Sequence, residues 1–299
     1  MTFIPLSDSV VFIQAESRGR YPYANSLLIQ GEVSALIDTG FEPKIAEETA
    51  KNYRVDLVIN SHCHEDHIAC NPYFEESRVC AHRLAAPAIR NVDLLWEIYG
   101  LKGTPAEPWM NAIAEILRLQ DSRVDVESAD GHIFDLGDTE LQVLHTPGHS
   151  SGHCCFLLPE ERIVFLSDID LTSFGPWYGA LDSNVDDFID SIEKLKRMSF
   201  EIAVTSHKGE VFRGEDTIRN RLDQYLNVIY QREEKLLNFL REERTLEEIV
   251  NQAIIHRKFP DPEEGYKHME RISIQKHLER LIAKGMVQET KKGFKATTK

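Results

Sequence analysis

The stretch Ser61-His62-Cys63-His64-Glu65-Asp66-His67 follows the apolar run Val55-Asp56-Leu57-Val58-Ile59-Asn60. That run is short and rich in aliphatic residues, so it reads as a buried strand. Imidazoles and carboxylates crowd its carboxyl end, where a loop held by rigid scaffold can present metal ligands. His62 and His64 are two apart and point the same way if the chain stays extended. Asp66 and His67 are adjacent and reach a second point only if the chain turns after His64. The spacing therefore implies two metal positions rather than one.

Upstream, residues 10–13, 26–30 and 33–37 are β-rich runs, the last two joined by a turn-like Gln30-Gly31-Glu32. Pro43 then opens a helix expected to end at Asn52. Downstream, residues 78–82 read as the next strand. The segment 84–120 turns helical, broken by Gly100, Gly103, Pro105 and Pro108. Its Trp96, Tyr99 and Trp109 belong either to helix core or to a lid with an apolar face over a pocket. Strands resume at 133–134, 141–144, 154–158, 163–166 and 201–205, with a helix capped by Asn184 between the last two. Strands, helix, strands, helix, with ligands at strand ends, fit two sheets sandwiched by helices. Past Gly214 the pattern is helical and includes a capping box, Thr245 to Glu248. A hairpin around Lys291-Lys292 ends the chain, so this end has the order of a winged helix.

The 299 residues carry a net charge of −15. Residues 226–299 hold fifteen Lys/Arg and twelve Asp/Glu, net +3, which leaves −18 for the rest. An acidic body disfavours non-specific binding to polyanions, and the step in charge marks a boundary near residue 225. The expected units are 1–225, carrying the cluster, and 226–299. No apolar window is long enough to cross a bilayer, and residues 1–14 lack a signal peptide's basic start. The five cysteines (63, 70, 80, 154 and 155) have no Cys-x-x-Cys pairing, which suits reduced thiols in the cytoplasm.

Further candidate ligands follow apolar runs. His145, His149 and His153 share one Gly/Pro turn, and only His149 follows Thr146-Pro147-Gly148. Asp168, with Asp170 as an alternative, ends one strand, and His207 ends another. Taken together, His62-x-His64-x-Asp66-His67, Thr146-Pro147-Gly148-His149, Asp168 and His207 resemble the metallo-β-lactamase superfamily of dinuclear metal hydrolases over roughly residues 10–210. The resemblance implies an α+β four-layer αββα sandwich followed by a small, mainly helical, winged-helix-like domain. It implies that His62, His64 and His149 bind one metal, Asp66, His67 and His207 the other, and that Asp168 bridges. Asp38 matches an acidic residue the family keeps after an early strand. Two divalent ions, zinc or else iron or manganese, would turn a bridging water into hydroxide near neutral pH, with Asp66 taking up or orienting a proton.

The substrate is less legible. His64 stands where flavodiiron relatives place Glu, which argues against oxygen reduction. Glyoxalase II relatives hold glutathione through basic residues after the bridging aspartate, whereas no Lys or Arg appears here until Lys194. Lactonase relatives have a tyrosine three residues after that aspartate; Leu171 stands there, with Tyr178 as a substitute. The C-terminal segment resembles the winged helix of a branch that includes endoribonucleases. Its basic residues, Lys284, Lys291, Lys292, Lys295 and Lys299, gather at one end. RNA is therefore open as a partner, as is a second copy of the chain in a homodimer. The expectation is a dinuclear hydrolase of a small ester, thioester or lactone. A metal-dependent endoribonuclease or phosphodiesterase, and a mononuclear iron enzyme like the persulfide dioxygenases, are the alternatives.

Overall fold

Two sheets in a computed structural model, which describes residues 2–297, carry the fold. Lys299, one of the lysines in the basic group, lies outside the described residues. The first sheet has seven strands in chain order. They are β1 (Thr2–Pro5), β2 (Val10–Gln14), β3 (Ser26–Ile29), β4 (Ala35–Ile37), β5 (Leu57–Asn60), β6 (Arg78–His82) and β7 (Val126–Ser128). Pairing is antiparallel up to β4 and parallel from β4 to β7. Parallel neighbours need crossovers, supplied here by helical segments. These are α1 (Pro43–Asn52), then α2 (Glu65–Ile68) after β5, then α3 (Ala86–Arg90), α4 (Asp93–Ile98) and α5 (Glu107–Leu117) after β6.

The second sheet runs β8 (Ile133–Asp135), β9 (Glu140–His145), β10 (Cys154–Leu158), β11 (Ile163–Phe165), β12 (Ile202–Val204) and β13 (Val211–Arg213). Its one parallel pair, β11 with β12, is bridged by α6 (Val185–Lys196), whose Asn184 cap accepts from the Asp187 backbone N–H at 3.0 Å.

Side-chain alternation builds the layers. Phe12, Leu27, Ile37 and Ile59 of the first sheet meet Leu141, Val143, Phe156 and Phe165 of the second in one core. Ile13, Leu28, Leu36 and Val58, offset by one residue, pack beneath Ile45 and Ala46 of α1. Cys155, Leu157 and Val164 likewise pack beneath Phe188 and Ile192 of α6. Helix, sheet, sheet and helix give the αββα sandwich.

Residue 225, where the charge step suggested a boundary, lies inside a helix, α7 (Glu215–Phe239). Leu222, Leu226 and Ile229 continue the α6 core, which extends onward to Ile249 of α8 (Leu246–Val250), Ile274 and Leu278 of α9 (Glu263–Ala283), and Val287. The expected Thr245 capping box is present, and β14 (Val287–Glu289) pairs with β15 (Phe294–Ala296). Charge composition could not reveal this continuity, because it records the solvated face of α7 and not the buried one.

A buried polar network fastens α7 to the loop after β11. The Arg232 guanidinium donates to the carbonyls of Phe174 and Pro176 and to the Tyr178 hydroxyl. Tyr178 is itself fully buried and bonds His277 Nε2 at 2.6 Å. It is thus a packing residue and does not substitute for the lactonase tyrosine. An Arg232→Met variant leaves buried acceptors unpaired at about 1–3 kcal/mol each, so a drop of about 3 kcal/mol in urea unfolding is expected.

Candidate metal centre

The quoted stretch does turn after His64, where α2 begins. Its turn separates two groups of side chains. Ligand atoms of His62, His64 and His149 lie within 4.8 Å of one another, as do those of Asp66, His67 and His207. Asp168 sits between the groups. Its Oδ2 is 3.2 Å from His149 Nε2 and 3.4 Å from His207 Nε2, and its Oδ1 is 3.1 Å from His67 Nε2. Asp66 reaches His67 at 3.7 Å and His207 at 3.6 Å. Asp170 is instead engaged by the backbone N–H and hydroxyl of Thr172. All seven sequence-selected residues therefore meet, from loops that end β5, β9, β11 and β12.

The nitrogens that face away from the cluster show how each ring is held. His67 Nδ1 donates to Asp38 Oδ2 at 2.8 Å, His149 Nδ1 to the Trp177 carbonyl at 3.1 Å, and His207 Nδ1 to the Gly19 carbonyl at 2.7 Å. His62 Nδ1 lies 3.0 Å from Ser61 Oγ. Ser61 Oγ also contacts Asp38 Oδ2 and accepts from Ser167 Oγ, both at 2.7 Å. Proton counting then fixes the network. The single Ser61 proton goes to Asp38, so His62 must donate from Nδ1. In its neutral form each of these four rings turns a lone pair on Nε2 toward the cluster. Ser167 (φ +50°) and Asp38 (φ +60°) both hold left-handed backbone to make these bonds.

The donor set fits metal ions. Nε2 of His62 and of His67 and Oδ1 of Asp168 are buried without a hydrogen-bond partner. Orphaned atoms of this kind are costly unless something fills the space between them. Charge points the same way. Burial depresses the basicity of His62 and His64, and their imidazole neighbours depress it further. Burial also opposes protonation of His207, but Asp168 and Asp66 outweigh it and raise the pKa to about 9. The carboxylates thus demand positive charge, which imidazolium or a cation can supply.

The other histidines divide. His153 Nε2 accepts from the Asp168 backbone N–H at 3.2 Å and so helps seat that aspartate. His82 and His145 stack outside the centre, ring centroids 4.1 Å apart. Burial, then His145 and Arg83, lower the His82 pKa from 6.5 to about 4. Between those values the unfolded chain binds a proton that the folded chain refuses, so stability falls as pH drops from about 6.5 toward 4. A His82→Asn variant should show a smaller loss of urea midpoint between pH 7 and pH 5 than the parent. An equal loss would contradict this reading.

A cavity of about 420 Å³ opens on the cluster. Tyr99 and Trp109 of the 84–120 segment line it and also pack in a helix core, whereas Trp96 donates to Asn111 elsewhere. Several lining residues were not singled out from sequence. Glu65 is buried and accepts from the hydroxyls of Tyr21 and Tyr99 at 2.7 Å each. His256, Tyr266 and Met269 come from the C-terminal region, and Arg20 and Lys208 are the lining Arg and Lys side chains. No helix among the described residues is long and apolar enough to cross a membrane, and the five cysteines are buried and unpaired.

Comparison with known proteins agrees with this architecture. A solved metallo-beta-lactamase family protein from Thermus thermophilus superposes with a TM-score of 0.75 at 21% identity, covering 98% of this chain and all of that one. The acyl-coenzyme A thioesterase MBLAC2 of Homo sapiens is 27% identical over 215 residues, 64% of this chain and 73% of that protein. A hydroxyacylglutathione hydrolase of Rhizobium etli is 29% identical over 57% of this chain and 55% of its own length. The family model described as metallo-beta-lactamase superfamily matches residues 20–207, the span that carries every candidate ligand. The chain belongs to the metallo-beta-lactamase superfamily and is a metal-dependent hydrolase of that fold.

Proposed function

We propose that the protein hydrolyses a small-molecule thioester with two divalent metal ions. His62, His64 and His149 would hold one ion and Asp66, His67 and His207 the other, with Asp168 between them. Zinc suits this imidazole and carboxylate set, as do iron and manganese. When bound, such ions supply Lewis-acid polarisation and a water that ionises near neutral pH. Asp66, beside His67 and His207, would orient the attacking water and accept its proton. Water adds to the carbonyl carbon, the C–S bond breaks, the thiol leaves with a proton and a carboxylic acid remains. The lid from Tyr99 to Met110 keeps bulk water from the carbonyl.

The observation that carries this reading is the cavity beside the cluster. Its walls include Tyr21, Tyr99, Trp109, Phe174, Trp177 and Tyr266, and Arg20 and Lys208 are exposed, without an ion pair among the described residues. An apolar acyl group fits the walls, and an anionic thiol fits the two cations. The MBLAC2 relative is a thioesterase by name. Segment 226–299, which the sequence left open to RNA, contributes His256, Tyr266 and Met269 to this cavity, which supports a small molecule over RNA. Metal-loaded protein should release thiol from a panel of acyl-coenzyme A thioesters and leave single-stranded RNA intact. Cleavage of RNA without thioester turnover would overturn the proposal.

A further inference from the structure

The thioesterase reading leaves the acyl group unspecified, and the cavity walls bear on it. Two groups of aromatic rings line the cavity. At the metal end, the Trp177 ring lies 5.3 Å from His149 and 5.7 Å from His64, centroid to centroid. In the second group Trp109 of α5 lies 5.9 Å from Tyr266 of α9 and 6.3 Å from Tyr21. These rings come from four separate parts of the chain, and all are partly exposed within a concave site.

Two glycines seat the indoles. A Cβ at Gly179 would lie 2.7 Å from Cζ2 of Trp177, and one at Gly265 would lie 2.7 Å from Cε3 of Trp109. Gly265 stands in the first turn of α9, where nothing in its backbone demands glycine. Glycine there gives up helix propensity relative to alanine, and the close approach of Trp109 accounts for it.

Three of the lining side chains have their polar ends committed elsewhere. Both Tyr21 and Tyr99 spend their hydroxyl protons on Glu65, and His256 Nδ1 pairs with Glu270 at 2.7 Å. What these residues offer a ligand is ring surface. Aromatic rings on several walls of a cavity complement a planar group better than a flexible chain, which loses more rotamer freedom on ordering and gains no ring-to-ring contact.

We infer that the cavity selects a planar, aromatic acyl group, held against Trp177 and the Trp109–Tyr266 pair. The inference rests on the thioesterase reading for its chemistry. It makes α9, which lies beyond the family match at residue 207, a specificity-determining wall of the site.

The test compares N-acetylcysteamine thioesters of phenylacetic and hexanoic acids, together with calorimetric binding of the two free acids to metal-loaded protein. Phenylacetyl should exceed hexanoyl in kcat/KM by about tenfold, the scale of one or two aromatic contacts. The ratio should fall toward one in Trp109→Ala and, approached from α9, in Gly265→Ala. A parent ratio near one or below, or a ratio that neither variant changes, would overturn the inference while leaving thioester hydrolysis intact. If no thioester turns over, the acids decide. Tighter binding of phenylacetate that is lost in Trp109→Ala supports the aromatic site and rejects thioester hydrolysis alone. Equal binding of the two acids overturns the site.

Discussion

An Asp168→Asn variant should retain its fold and lose at least about a thousandfold in kcat, because Lewis-acid stabilisation is worth several kcal/mol and about 4 kcal/mol corresponds to that factor. Asparagine matches the shape of Asp168 but carries no charge. The parent carboxylate approaches His67, His149 and His207 together, from 3.1 to 3.4 Å. Asp168 is thus a carboxylate that faces His149 on one side and His67 and His207 on the other. Metal analysis on the same preparation should show fewer ions per chain than the parent. Full activity with full metal content would mean that Asp168 has no bridging role.

Asp38→Asn should weaken metal binding by about 10–100-fold in competition with a chelator, the range for partners that orient a ligating histidine. Asparagine tolerates the left-handed backbone at this position (φ +60°), so the turn is preserved. Bonding, however, is not preserved. Asp38 is fully buried and accepts from the Ser61 backbone N–H, the Ser61 hydroxyl and His67 Nδ1. An amide can supply only one of its two ends as an acceptor, so either His67 or Ser61 loses its partner. Because Ser61 also receives the His62 Nδ1 proton, both metal positions feel the change. Unchanged metal affinity would show that the Ser61–Asp38 network is incidental to the centre.

The candidate ligands were legible because each is a residue of distinctive chemistry at the end of an apolar strand, in an order that resembles one family's. A strand's carboxyl end is a place, so ordered motifs there could be assigned to one point in space. The sandwich was legible for a related reason, since strands 26–29, 57–60 and 154–158 are buried on both faces and read as continuous apolar runs. The cavity was not legible. Tyr21, Glu65, Trp109 and Tyr266 are remote in sequence, and nothing in a tyrosine's type says whether its hydroxyl faces water or a buried carboxylate. Arg232 is another such case. A cation on an amphipathic helix ordinarily marks the solvated face, yet here it is 3% exposed and fastens the loop that carries Trp177.

Metal stoichiometry is the most direct test of the central claim. Native mass spectrometry of protein reconstituted with zinc, alongside His64→Ala and His207→Ala variants, counts ions per chain and assigns them to positions. Two ions in the parent are expected, with weakened occupancy of one position in each variant. One ion in the parent, lost in His64→Ala and indifferent to His207→Ala, would contradict the dinuclear account and favour a mononuclear enzyme on the same fold.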